Sequence, residues 1–156
     1  MIRRLGITLV ICLSGCGSVT NPAAPPNDFS AGNFALNIVA SNSCSTLPDA
    51  GRNRNWNIGL VKTGSAVEAT MQGWPETAAV IAQTNFAGTA NGSSLMLAGY
   101  IYDTIVGCEP SLCYRAEGTI TATQSGNVIT GTLNGVVGYD ATTCTATDHK
   151  VMLTRR

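Results

Sequence analysis

From residue 32 onward, apolar side chains alternate with threonine, asparagine or glutamine, and glycine-bearing turn signals interrupt the alternation at intervals of about ten residues. A period of two puts one set of side chains on each face of an extended chain, so this stretch must bury one face of a sheet. Strands are expected over 32–41, 54–62, 66–73, 82–90, 93–102, 113–123, 126–138 and 147–154. The one competing segment is a helical turn opened by Pro75 across 75–81. The fold class is all-β.

The links between strands are unequal. Thr63-Gly64-Ser65, Asn91-Gly92 and Gln124-Ser125 are short enough for tight hairpins, whereas the other four connections, including the one before the last strand, read as long. In an up-and-down meander, short links then fall at one end and long links at the other. That asymmetry is the mark of an antiparallel eight-stranded up-and-down barrel of lipocalin-like architecture with one open end.

Six cysteines occur. Cys12 and Cys16 lie in the N-terminal segment, which leaves Cys44, Cys108, Cys113 and Cys144 for two disulfides, with three connectivities open to spacing alone. Closure narrows the choice. Cys44 follows the first strand and Cys144 precedes the last, so a bridge between them would fasten the seam of a closed barrel, and Cys108 with Cys113 would tie one long link. No C-x-x-C pair and a single histidine argue against a metal site, and no cofactor motif is present.

Parity within the strands assigns an inward set: Phe34, Leu36, Ile38, Trp56, Ile58, Leu60, Val67, Met71, Phe86, Leu95, Leu97, Ile101, Ile120, Ile129, Leu133, Val151 and Leu153. Gly88, Gly99, Gly118 and Gly131 share that parity and either permit tight curvature or leave room for a small guest. Carried to the long-link end, the same parity brings Arg54, Asp103, Tyr114, Tyr139 and His149 near the rim, with Trp56 beneath them. An apolar cup with a few polar groups at its lip is the usual form of a small-molecule site; the simpler outcome is a polar plug, with Arg54 on Asp103 and His149 on a loop carbonyl. Val39, Val128, Val136 and Met152 point outward as a second, apolar patch.

The N-terminus carries a different message. Arg3 and Arg4 precede an apolar run from Leu5 to Leu13 that is too short to span a bilayer, which is the pattern of a cleaved secretory leader over 1–15. Leu13-Ser14-Gly15-Cys16 resembles the lipobox of bacterial lipoproteins. That resemblance implies lipidation of Cys16 by acyl chains such as palmitate, an anchor without a spanning segment, and, with Gly17 rather than an acidic residue following, sorting to the outer membrane. Residues 16–31 hold three prolines and read as a tether about 45 Å long, ahead of a barrel domain over 32–156.

Removing the leader leaves seven basic against nine acidic residues, a charge of −2, so no basic field exists to hold nucleic acid. Catalysis is not expected either. His149 follows Asp148, but adjacent strand residues face opposite ways, the mature chain has no G-x-S-x-G, and the four glutamates share no signature.

Cys44-Ser45-Thr46-Leu47-Pro48, Arg52 and Trp56, together with Cys144-Thr145-Ala146-Thr147-Asp148-His149 and Leu153-Thr154-Arg155, are similar to segments of bacterial lipoproteins of unassigned function. The resemblance implies shape and location but carries no active site. The lipocalin G-x-W is replaced by Gly32-Asn33-Phe34, and the inhibitory loop of the lipoprotein inhibitors of lysozyme is not recognisable. The expected function is a non-catalytic, lipid-anchored envelope barrel that binds a small apolar ligand at its open end. The alternative is a module that binds an envelope protein, as inhibitor or scaffold, through the long links.

Overall fold

The computed structural model describes residues 28–72, 80–105 and 113–156, with residues 80, 81, 104, 105 and 113 known by their backbone course. The elements are β1 (Gly32–Val39), α1 (Asp49–Arg52), β2 (Asn53–Thr63), β3 (Ala66–Met71), β4 (Val80–Thr84), β5 (Ala87–Asn91), β6 (Ser94–Ile105), β7 (Cys113–Ser125), β8 (Val128–Tyr139) and β9 (Thr142–Arg155). Antiparallel ladders run β6-β5-β3-β2-β1-β9-β8-β7, and β7 returns to β6. The sheet closes. Eight strands stand around the barrel, because β4 and β5 are two halves of one strand laid along β6.

The break at Asn85-Phe86 has a local cause. Asn85 pairs with Tyr100 through its own N–H and also accepts the Tyr100 N–H on its side-chain oxygen, while the Phe86 carbonyl accepts from Ala69 of β3. Phe86 is thereby turned into the core. Beyond this point β3 ends at Met71, so toward the long-link end β4 pairs with β6 and not with β3.

Four two-residue hairpins lie among the described residues. Gly64-Ser65, Gly92-Ser93 and Gly126-Asn127 lie at the short-link end, each opened by a glycine at a left-handed φ of 55 to 63°, which suits the twist of the flanking strands. The fourth, Asp140-Ala141, corrects the expectation of a long link before the last strand: β9 begins at Thr142, and Cys144 lies within it, opposite Val137. The sequence Thr-Thr-Cys-Thr-Ala-Thr does alternate, but cysteine and alanine are weak markers of an inward face. Between Leu133 and Gly135 the register slips, with one extra residue on the β9 side, so Thr147 and Asp148 are both exposed. This bulge resets the parity and lets Ala146 and His149 both face inward.

Cys44 and Cys144 form the expected disulfide, with a Cα–Cα distance of 5.6 Å. It ties the loop after β1 to the part of β9 that β1 no longer reaches, since the β1–β9 ladder stops at Val39 and Lys150. The second expected bridge, Cys108 to Cys113, lies outside the described residues, as do positions 75–79 of the expected helical turn; Val80 and Ile81 begin β4 instead. The one helix among the described residues is α1, four residues that follow Pro48, with Gly51 packed against the Tyr139 side chain.

The inward set is buried as parity predicts, apart from Met71, which is half-buried. The inward glycines mark curvature rather than space. A methyl group at Gly118 would sit 2.2 Å from the Asn134 carbonyl oxygen, and one at Gly88 would sit 2.0 Å from that of Met96, so neighbouring backbone already fills those positions. The core also takes in Phe29, from the segment read as tether. Phe29 is 3% exposed and donates its N–H to the Gly92 carbonyl, Ser30 donates to the Gln124 side chain, and Arg155 donates to the carbonyls of Ser30 and Ala31 while its guanidinium lies 5.0 Å from the Phe34 ring centre. The short-link end is stoppered.

The apolar outer patch is not continuous. Met152 is exposed, but Asn37 and Thr130 stand beside it in register, and Val39 faces Lys150. Val39, Val128 and Val136 are half-buried singly among threonines and charged groups. Single exposed apolar residues of this kind are normal on folded proteins.

Candidate functional site

Four of the expected rim residues meet at the long-link end. Arg54 and Trp56 stand two apart on β2 and so share a face; Asp103 of β6 is in register with Tyr114 of β7. Trp56, Asp103 and Tyr114 are buried, whereas the Arg54 side chain is 30% exposed. Arg54 donates to Asp103 Oδ2 from Nε at 2.8 Å and from Nη2 at 2.7 Å, and the Trp56 indole N–H donates to the same oxygen at 3.1 Å. The Trp56 and Tyr114 rings pack at 4.9 Å between centres, tilted by 60°.

This arrangement joins β2 to β6 at the level where β3 has ended. A side-chain bridge stands where the backbone ladder through β3 has lapsed. A buried carboxylate is tolerable there because a guanidinium and an indole N–H both reach it.

The other two rim candidates lie apart from the cluster. Tyr139 is in register with Tyr114 but half-buried, and its side chain supports α1 at Gly51. His149 lies deeper, fully buried in the wall below the β9 bulge. Its Nδ1 accepts from the Ser41 backbone N–H at 3.0 Å, and Nε2 faces the Gly135 carbonyl at 3.2 Å, so both nitrogens are occupied. Accepting at Nδ1 makes Nε2 the donor. The polar-plug outcome weighed from the sequence thus describes Arg54 and Asp103 well. It describes His149 as well, except that the carbonyl belongs to a strand and not to a loop.

Tyr114 is the exception to this mutual satisfaction. Its hydroxyl is the one buried side-chain polar atom among the described residues with no hydrogen-bond partner. Burial first, and the nearby Asp103 carboxylate second, push its ionisation well above the ordinary tyrosine value, against a smaller downward pull from Arg54. It therefore stays a neutral donor. The sign for stability follows: the folded state holds this proton more tightly than the unfolded chain, so the contribution is complete below about pH 10 and is lost as pH rises toward the folded value. The unfolding free energy of the native protein relative to Tyr114→Phe should fall above pH 10, by at most about 1.4 kcal/mol per pH unit. Urea melts of both proteins between pH 8 and 11 check this, and parallel curves would show that the hydroxyl is not buried in solution.

Among the described residues, no group of three or more histidine, cysteine or acidic side chains is placed to hold a metal ion. Among the described residues an open cleft of about 400 Å³ is lined by Asn33, Phe34, Asn57, Ile58, Gln72 and Arg156, and it shares no residue with the Arg54–Asp103 cluster. Sequence reasoning missed two features that frame the site. The stopper at Phe29 was signalled only by one aromatic in a polar, proline-rich stretch, and the ring contact between Trp56 and Tyr114 had no local signal at all.

Comparison with known proteins adds no relative: no protein-family model, curated protein or solved structure matches the chain.

Proposed function

We propose that this is a lipid-anchored protein of the bacterial cell envelope, held through Cys16 in the outer membrane, whose barrel binds a small apolar molecule at the long-link end and performs no catalysis. The observation that carries the reading is the inequality of the two ends. One is stoppered by Phe29 and clamped by Arg155; the other presents two aromatic rings beneath one partly exposed, hydrogen-bonding side chain. Aromatic rings beneath one polar side chain suit a ligand with a mostly apolar body.

The direct test is native mass spectrometry of the protein extracted from its own membranes. The expected result is a mass carrying the acylated cysteine together with a separable small-molecule adduct. A bare mass accompanied by a co-purifying protein would favour a second reading, a protein-binding module. One observation supports that alternative: the loop between β1 and β2 is pinned by the disulfide and by Arg52 bonding to the Leu47 and Ser45 carbonyls, which gives a firm outer surface at the same end.

Anchoring through Cys16 carries a geometric consequence. The chain reaches the barrel at Phe29, beside the Gly92 turn, so the short-link end faces the bilayer and the long-link end points away from it. For the lipidated protein on nanodiscs doped with paramagnetic headgroups, the Asn91 and Asn127 amide signals should broaden and that of Asp140 should not. Broadening at Asp140 alone would reverse the orientation.

A further inference from the structure

The Tyr114 hydroxyl specifies the chemistry of what enters. Tyr114 is 1% exposed, and native proteins rarely leave such a group unpaired. Asp103 Oδ2, on the strand beside it, accepts from both Arg54 nitrogens and the Trp56 indole N–H, and no hydrogen bond joins that carboxylate to this hydroxyl. What remains at the ring is a donor seeking an oxygen.

Charge narrows the class further. Arg54 and Asp103 are paired, so the cluster as a whole is neutral and offers an anion no free cation and a cation no free carboxylate at that oxygen. Trp56 and Tyr114 form the apolar part of the cluster, buried and packed ring on ring, and Arg54 is the member in contact with solvent. We propose that the long-link end takes a neutral, flat apolar molecule bearing a carbonyl or ether oxygen, which accepts a hydrogen bond from the Tyr114 hydroxyl. The proposal rests on the ligand-binding reading above and adds the position and polarity of the one specific contact.

Two small probes of nearly equal shape separate the claims: acetophenone, which carries the acceptor, and ethylbenzene, which does not. Each is titrated into the native protein and Tyr114→Phe, following the Trp56 indole N–H signal, assigned with the help of Trp74→Phe. Tyr114→Phe keeps the ring and its packing and removes only the donor. The expected result is a loss of about fivefold or more in acetophenone affinity on that substitution, with ethylbenzene changed by less than about twofold. Equal changes for the two probes, or none, overturn the assignment of Tyr114 while leaving the cup intact. Failure of both probes to bind the native protein overturns the cup as well.

Discussion

Replacing Cys44 and Cys144 together with alanine is expected to lower the unfolding free energy by about 4 to 5 kcal/mol, the chain-entropy value for a loop of this size. The bridge spans 100 residues and is placed where it matters for closure. Between Phe34 and Val39 the seam of the barrel is held by the β1–β9 ladder; past Val39 the chain turns away into the loop before α1, and the first half of β9 continues without β1 beside it. The disulfide is the covalent link across that divergence. Urea unfolding of the double variant should show a lower midpoint with a steeper slope, because the unfolded chain without the crosslink exposes more surface. A loss below about 1 kcal/mol would mean that the seam holds without it, and that closure restricts the unfolded chain little.

Asp103→Ala should be nearly as damaging, at about 3 to 4 kcal/mol, because removing one partner of a buried pair leaves the other partner unpaired. Here two donors are stranded, the Arg54 guanidinium and the Trp56 indole N–H. The partial exposure of Arg54 places the value at the lower end of the usual range, since water can reach that side chain. The combined variant Arg54→Leu with Asp103→Leu should recover part of the loss, because apolar residues of similar volume often replace a buried ion pair at little cost, while the Trp56 indole N–H stays unpaired. Thermal and urea melts of the three proteins decide it. Equal destabilisation of the single and combined variants would show that the shape of Asp103, and not its pairing, is what β2 and β6 depend on.

The barrel and its inward face are legible in the amino-acid order, for a local reason. From Phe34 to Ile38 and from Trp56 to Leu60, large apolar residues recur at every second position, and each of these is buried. The first half of β9 reads as a loop because its inward positions are Cys144 and Ala146, small side chains among threonines, and because the bulge at Thr147-Asp148 breaks the count that would join them to Val151 and Leu153. The rim was partly legible. Parity at Arg54, Asp103 and Tyr114 brought the right groups to one end, but it treated His149 and Tyr139 as equivalents, and register sends one deep into the wall and the other under α1.

Alternation and glycine-led turns act over two to four residues, so the strands, their buried faces and the short-link hairpins were set by the amino-acid order alone. Pairings between distant positions depend on how the ring closes. Trp56 finds Asp103 across 47 residues, Ser30 finds Gln124 across 94 and Ser41 finds His149 across 108. Only the tertiary structure decides these, because closure with one bulge and one broken strand determines which side chains share a volume. The same closure stoppers one end with Phe29 and leaves the Tyr114 hydroxyl buried without a partner.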